Sequence, residues 1–253
     1  MAELRRLLVT GLNGTLAPHL AAAARAAGID VVAWDRSRLD PEDPASLAQL
    51  DAGIDGIAHL AMGSAAWAAR LAAWAAERGL PYLFTSTVMV FDHAPDGPHG
   101  VADARTARDD YGRYKIECED AVRAASAGAG IVRIGWQIDA VRPGNNNMLK
   151  TLDEWQRERG VIGASRLWRP ACSFMDDTAA ALLALLREGF VGTTHLDSNA
   201  EPGWSFDAIV RGLQQRYERD EWRIEANDDY RHDQRLVGGR PMPALSERLD
   251  AGA

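Results

Sequence analysis

Leu7-Leu8-Val9-Thr10-Gly11-Leu12-Asn13-Gly14-Thr15-Leu16-Ala17-Pro18-His19-Leu20 is the stretch on which the fold turns. An apolar run stops at a glycine-punctuated turn and passes straight into an alanine-rich amphipathic segment, the pattern of a buried strand handing over to a helix. Gly11 permits the tight turn and Gly14 leaves room for a pyrophosphate against the backbone. The small Ala17 lets helix lie close to strand, so free N–H groups at the helix start face phosphate oxygens. Asn13, Thr15 and Leu16 complete that binding turn. Glycines alone would mark an ordinary turn, but here a second apolar run, Ile29 to Trp34, follows the helix and ends on Asp35. A carboxylate at that distance suits the adenosine ribose hydroxyls of a dinucleotide and favours NAD. The adjoining Arg36 and Arg38 would suit the 2′-phosphate of NADP, or are simple surface charge. The expected cofactor is therefore NAD or NADP.

Working outward, strand-like and helical runs alternate: Leu7 to Thr10, a helix to Ala27, Ile29 to Trp34, a short helix near Pro44 to Leu50, then Ile54 to Leu60. Such alternation implies right-handed crossovers and a parallel sheet. Ala65 to Glu77 reads as a helix whose Trp67, Leu71 and Trp74 share one face, a core stripe. Pro81 to Ser86 is the next strand and Val88 to Arg108 a long loop, functional or mobile by its length. A helix over Asp110 to Ala125 and a strand over Gly130 to Ile134 follow. Beyond them the regularity decays into a Gly144 to Asn147 turn, helices near Met148 to Arg157, Asp176 to Arg187 and Trp204 to Tyr217, and short strands near His195 and Arg223. The expected architecture is α/β: a Rossmann-type, doubly wound parallel sheet in residues 1–135, with 136–253 mainly a small substrate-binding lobe that returns some segments to the sheet. Behind the third strand, Leu60, Ala61 and Met62 should line the cofactor path by backbone contact, with His59 a packing residue at the strand end.

Bulk properties narrow the class. The 253 residues suffice for one large core with an appended lobe, and a formal charge of −8 argues against nucleic acid or an anionic membrane surface as partner. Two cysteines, Cys118 and Cys172, offer neither a disulfide framework nor a zinc pattern, and the histidines show no metal-ligand spacing. The charged segment Met1 to Arg6 runs directly into the first strand and no apolar stretch is long enough to span a bilayer, so a cytoplasmic protein is expected.

Of the 28 cationic residues only Lys115 and Lys150 are lysines, so a lysine here is informative. Tyr111-Gly112-Arg113-Tyr114-Lys115 sets a phenol and an ammonium four residues apart on one helix face. An ammonium beside a phenol would lower its pKa toward the range of proton exchange with a carbonyl or alcohol, and a compact lysine can also hold ribose hydroxyls. Upstream, Phe84-Thr85-Ser86-Thr87 ends a strand where ligands sit in doubly wound sheets, so Ser86 and Thr87 would look into the crevice or cap local backbone.

The Thr10 to Gly14 turn, the Ser86-Thr87-x-x-Val90-Phe91-Asp92 segment and Tyr111-Gly112-x-x-Lys115 together resemble an extended short-chain dehydrogenase/reductase, most closely the dTDP-4-dehydrorhamnose reductase-like subgroup that binds sugar-nucleotides. Val132-Arg133-Ile134-x-Trp136, Asn145 to Asn147, Pro170-x5-Asp176-Asp177, Gly192-Thr-Thr-His195-Leu196 and Arg240-Pro241 extend the resemblance over nearly the whole chain. It implies Tyr111 as general acid/base, Lys115 as its activator and nicotinamide-ribose ligand, and Thr87, rather than Ser86, as the hydroxyl that orients a carbonyl. Substrate would lie near Thr87, Val88, Trp136 and Asn146. The implied function is NAD(P)-dependent reduction or oxidation at a carbonyl of a sugar-nucleotide or related small molecule. A nucleotide-sugar epimerase and a non-catalytic dinucleotide-binding subunit are the alternatives. Family members are often dimers, which admits a homodimer without locating its surface. Two departures stand out: Val88 and Met89 replace the family's Asp and Tyr, and no asparagine occurs between Asn13 and Asn145, so the relay asparagine of many relatives is absent.

Overall fold

The computed structural model describes residues 3–50, 53–141, 144 and 146–250. Strands β1 (Arg6–Thr10), β2 (Asp30–Ala33), β3 (Gly56–His59), β4 (Tyr82–Thr87), β5 (Gly130–Ile134) and, much later, β10 (Gly192–Leu196) form one six-stranded sheet. Its order is β10-β5-β4-β3-β1-β2 and every pairing is parallel. The four inner strands β1, β3, β4 and β5 are buried on both faces, as the interior of a parallel sheet requires, while the edge strand β2 is partly exposed. Leu7, Val9, Leu83 and Val132 face one layer with α1 (Ala17–Ala26) and α5 (Met175–Glu188). Leu8, Ile57, Tyr82, Phe84 and Ile131 face the other, with α2 (Ala65–Glu77) and α3 (Asp110–Ala125). Trp67, Leu71 and Trp74 of α2 are core, as their spacing predicts.

The chain steps from β1 outward to β2, then crosses to β3 on the other side of β1. That reversal opens a crevice beyond the carboxyl ends of β1 and β3, where open α/β sheets hold ligands. Thr10 closes the floor of the crevice. Its Oγ1 accepts from Leu60 N and Ala61 N, both at 3.0 Å, and lies 3.3 Å from His59 Nδ1. The one hydroxyl proton is left for that ring nitrogen. Burial, aided by Lys115 and Arg36, depresses His59 to about 3, so the ring is neutral and can accept.

The lobe is less regular than the sheet. β6 (Trp136–Ile138), β7 (Ile162–Ser165), β8 (Trp168–Arg169), β9 (Cys172–Phe174), β11 (Ile224–Asn227) and β12 (His232–Asp233) pair two by two as β6-β9, β7-β11 and β8-β12. The strand near Arg223 is β11, but β6 to β9 carry no sequence signal, being two to four residues long and paired over long chain separations. With α4 (Met148–Arg159) and α6 (Phe206–Arg216) they enclose a second core of Ile138, Leu152, Phe174, Phe206, Ile209 and Trp222. The strand near His195 belongs to the main sheet as β10. The long loop after β4 is held: Asp92 N donates to Thr106 Oγ1, His99 N to Arg235 O and Val237 N to His99 O.

Candidate active site

A cleft of about 620 Å³ lies between the carboxyl edge of the sheet and the lobe. One wall is the glycine turn, with Gly11, Gly14, Thr15, Leu16 and Ala17; the second holds Leu60, Met62, Thr85, Ser86, Thr87, Val88, Met89, Tyr111 and Lys115; the third is lobe, with Trp136, Gln137, Asn146, Trp168 and Gln234. Gly11 sits at φ +82°, and a Cβ there would stand 3.0 Å from the Ala61 backbone, so only glycine lets β1 turn this close to the loop after β3. No side chain caps α1 and no acid occupies its first turn. An uncapped helix start opening on a cleft is a site for anionic phosphate, so the residues present fit a dinucleotide.

Asp109 caps α3 by accepting from Gly112 N at 2.8 Å. A Cβ on Gly112 would meet Met89 O at 2.2 Å. The first turn of α3 therefore rests on the turn after β4, and this contact brings Tyr111 to Thr87. Thr87 Oγ1 accepts from Met89 N at 3.1 Å, and its side chain lies close enough to the Tyr111 phenol to act on its pKa. Lys115, 4% exposed, donates from Nζ to Thr85 O at 3.0 Å and lies over the Phe84 ring at 4.8 Å. Burial lowers its pKa to about 8.

One expectation is corrected here. The ammonium is expected to make the phenol acidic, yet burial raises Tyr111 above its ordinary 10, with the neighbouring Thr87 hydroxyl pulling the other way and Asp109 reinforcing the rise. The physical reason is that Lys115 points to the Thr85 carbonyl and the Phe84 and Tyr114 rings. Ser86 and Thr87 both line the cleft, and the Ser86 side chain also lies near the Glu119 carboxylate.

Other expected residues fall at the margin. Ala61 is buried behind the cleft, and Asn13 is an exposed turn residue. Asp35 accepts from Ser37 N and Oγ at 2.9 and 2.7 Å, within the turn after β2. Arg36 crosses to donate to Met62 O, with its guanidinium 5.4 Å from the Trp67 ring. Asn145 lies outside the described residues. Trp168, Gln137 and Gln234 are cleft residues that the sequence reading did not find: Trp168 comes from a two-residue strand, and Gln234 arrives on the chain that follows β12. Arg133 is no cleft residue but the buried partner of Glu119, bound through Nε–Oε1 at 2.9 Å and Nη2–Oε2 at 2.8 Å.

A family model for the RmlD substrate binding domain matches residues 58–210. A dTDP-4-dehydrorhamnose reductase of Sinorhizobium fredii is 30% identical over 227 residues, 79% of this chain and 75% of that protein. The chain belongs to the dTDP-4-dehydrorhamnose reductase (RmlD) family of extended short-chain dehydrogenases/reductases. Its fold agrees. The crystal structure of dTDP-4-dehydrorhamnose reductase from Bacillus anthracis in complex with NADP superposes with a TM-score of 0.79 over 96% of each chain at 19% identity. The Bordetella bronchiseptica enzyme WbmH in complex with NAD+ does so at 0.75, over 98% of this chain and 96% of that one, at 17% identity. Like the family, this RmlD-type chain is an NAD(P)-dependent oxidoreductase, and among the described residues no helix is long and apolar enough to cross a membrane.

Proposed function

We propose that the protein reduces the carbonyl of a sugar-nucleotide, the dTDP-4-dehydro-6-deoxyhexose class named by its relatives, with Thr87, Tyr111 and Lys115 as the reacting residues. The observation that carries this reading is their meeting on one wall of a single cleft, facing the uncapped start of α1. Gly11, Asn13, Gly14, Thr15 and Leu16 would hold the diphosphate. Asp35 and Arg36 would stand at the adenosine ribose, and Leu60, Ala61 and Met62 would border the path to the nicotinamide. The bound NAD(P)H supplies hydride. Every other step falls to side chains.

Tyr111 carries its proton at neutral pH, as a phenol does, and partial burial raises its pKa further; it donates that proton to the substrate oxygen as charge develops there. Thr87 uses its oxygen on Met89 N, which leaves the hydroxyl proton to orient the phenol or the carbonyl. Lys115 spends one N–H on Thr85 O and has two left for ribose hydroxyls. Val88, Trp136 and Asn146 would border the sugar.

The test is NADPH consumption at 340 nm with dTDP-4-dehydro-6-deoxyhexose, the nucleotide-sugar ketone. Wild type is expected to turn over, and Tyr111→Phe to lose about 10² to 10⁴ in kcat while binding NADPH normally. Tight dinucleotide binding without turnover would instead favour a binding subunit, and product without net NADPH loss an epimerase.

A further inference from the structure

Trp168 and Gln234 meet on the lobe wall of the cleft, Trp168 from β8 and Gln234 from the chain just after β12. The two strands pair in parallel, His232 with Trp168 and Asp233 with Arg169, and Gln234 N donates to Arg169 O at 2.9 Å. Past Gln234, Arg235 Nη1 donates to Ala200 O at 3.0 Å and Leu236 N to Asp197 Oδ2 at 2.9 Å. The backbone that carries this side chain is fixed on both sides.

One contact decides which way the amide points. Trp168 Nε1 lies 2.7 Å from Gln234 Oε1, and an indole N–H only donates, so the atom it meets is the amide oxygen. The amide nitrogen, Nε2, keeps both its protons unspent. It has no partner among the described residues, and it is not one of the unpaired polar atoms sealed inside the protein, so a water-sized group reaches it. Trp168 is held in turn, stacked on Trp136 at 6.2 Å and leaning on Phe206 at 4.5 Å. Small-molecule clefts combine mostly apolar walls with a few placed polar groups that set orientation. Here the indoles of Trp136 and Trp168 supply the wall and the Gln234 amide supplies the N–H.

Position assigns that N–H to the substrate. The dinucleotide is read onto the glycine turn and the path along Leu60 and Met62, which form the other walls. Ile134 is in register with Thr87 and Trp136 follows two residues later, so the aromatic wall begins beside the reacting end of the cleft.

We propose that Gln234 is a specificity-determining residue whose Nε2 donates a hydrogen bond to an oxygen of the nucleotide-sugar, on either its hexose or its nucleotide; the proposal rests on the sugar-nucleotide reading of the cleft. Gln234→Met removes the donor without adding charge. Gln234→Glu also removes it but keeps an oxygen for Trp168 Nε1. Circular dichroism reads folding, fluorescence titration reads NADPH affinity, and oxidation of NADPH with dTDP-4-dehydro-6-deoxyhexose reads KM and kcat. Both variants are expected to raise KM by about fivefold or more, with kcat and NADPH affinity near wild type. Inhibition by dTDP, which lacks the hexose, locates the oxygen: in the methionine variant it weakens as much as KM rises if the acceptor is on the nucleotide, and stays as in wild type if it is on the hexose. A folded methionine variant with wild-type KM overturns the proposal and leaves the reductase reading standing. Weakened NADPH affinity with KM unchanged overturns it too, because the contact would then be to the cofactor. A wild-type protein that binds NADPH but turns over no nucleotide-sugar overturns the reductase reading and this proposal with it. Should neither variant fold, a wild-type crystal with NADP+ and the reduced nucleotide-sugar decides: an oxygen of the sugar-nucleotide within hydrogen-bonding distance of Nε2 supports the role, and its absence ends it.

Discussion

Thr10 shows how one hydroxyl can hold a ligand crevice open in the right shape. Replacing it by Val keeps the volume but strips the acceptor from Leu60 N and Ala61 N and the donor from His59. Each buried group left unpaired costs about 1–3 kcal/mol. Thr10→Val is therefore expected to lower the melting temperature by several degrees and to weaken NADPH binding, read by calorimetry and by fluorescence titration. An unchanged melting curve would show that the loop after β3 is held by something else. At Lys115 the expectation concerns pH. In the proposed role the ammonium would be the ribose-binding form, and its pKa is depressed to about 8 by burial, so NADPH affinity is expected to fall as pH rises through that value. A dissociation constant flat from pH 7 to 9.5 would remove Lys115 from the ribose.

Helix α3 is the element on which the site depends, because it carries Tyr111 and Lys115 on one face and is fixed at three places. Its start rests on the Met89 carbonyl through Gly112, and Tyr114 Oη donates to Gly63 O at 2.6 Å. Farther along, Glu119 is bound by Arg133 of β5, with Arg105 and Arg123 nearby at 3.3 and 3.4 Å. A methyl group at Gly112 has no room, so Gly112→Ala should push α3 outward and separate Tyr111 from Thr87. The expected result is a loss of kcat of tenfold or more together with weaker dinucleotide binding, because Lys115 moves with the helix; full activity would show that the contact with Met89 is yielding. Glu119→Gln acts differently. Breaking a buried pair leaves the Arg133 charge uncompensated, at about 3–5 kcal/mol, and a urea midpoint within error of wild type would refute that reading.

At the scale of the whole molecule, two buried histidines set the acid limit. Burial, then Lys115 and Arg36, hold His59 at about 3; burial and then Arg133 hold His195 at about 4. In the unfolded chain both would titrate near 6.5. Between those values the unfolded chain binds protons that the folded one refuses, so stability is full above about 6.5 and is lost as pH falls toward 4 and then 3, by about 1.4 kcal/mol per pH unit for each group. The melting temperature should drop below pH 6.5, the two rings outweighing the buried Asp197 carboxyl, which burial raises to about 7 and which pulls the other way. A melting temperature constant from pH 7 to 4.5 would contradict the neutral state of both rings.

The residues themselves determined the β1 turn, the alternation of strand and helix through β5, the placing of Tyr111 and Lys115 one turn apart on α3 and the core stripe of α2. Those signals are local: periodicity, glycine at a turn, and spacing along one helix act between neighbours in the chain. Only the tertiary structure decided that the ammonium of Lys115 turns to Thr85, that Arg133 serves Glu119, and that Trp168, Gln137 and Gln234 form the lobe wall. Each of these depends on partners tens of residues away and on how deeply burial shifts a charge, and the chain order contains neither quantity.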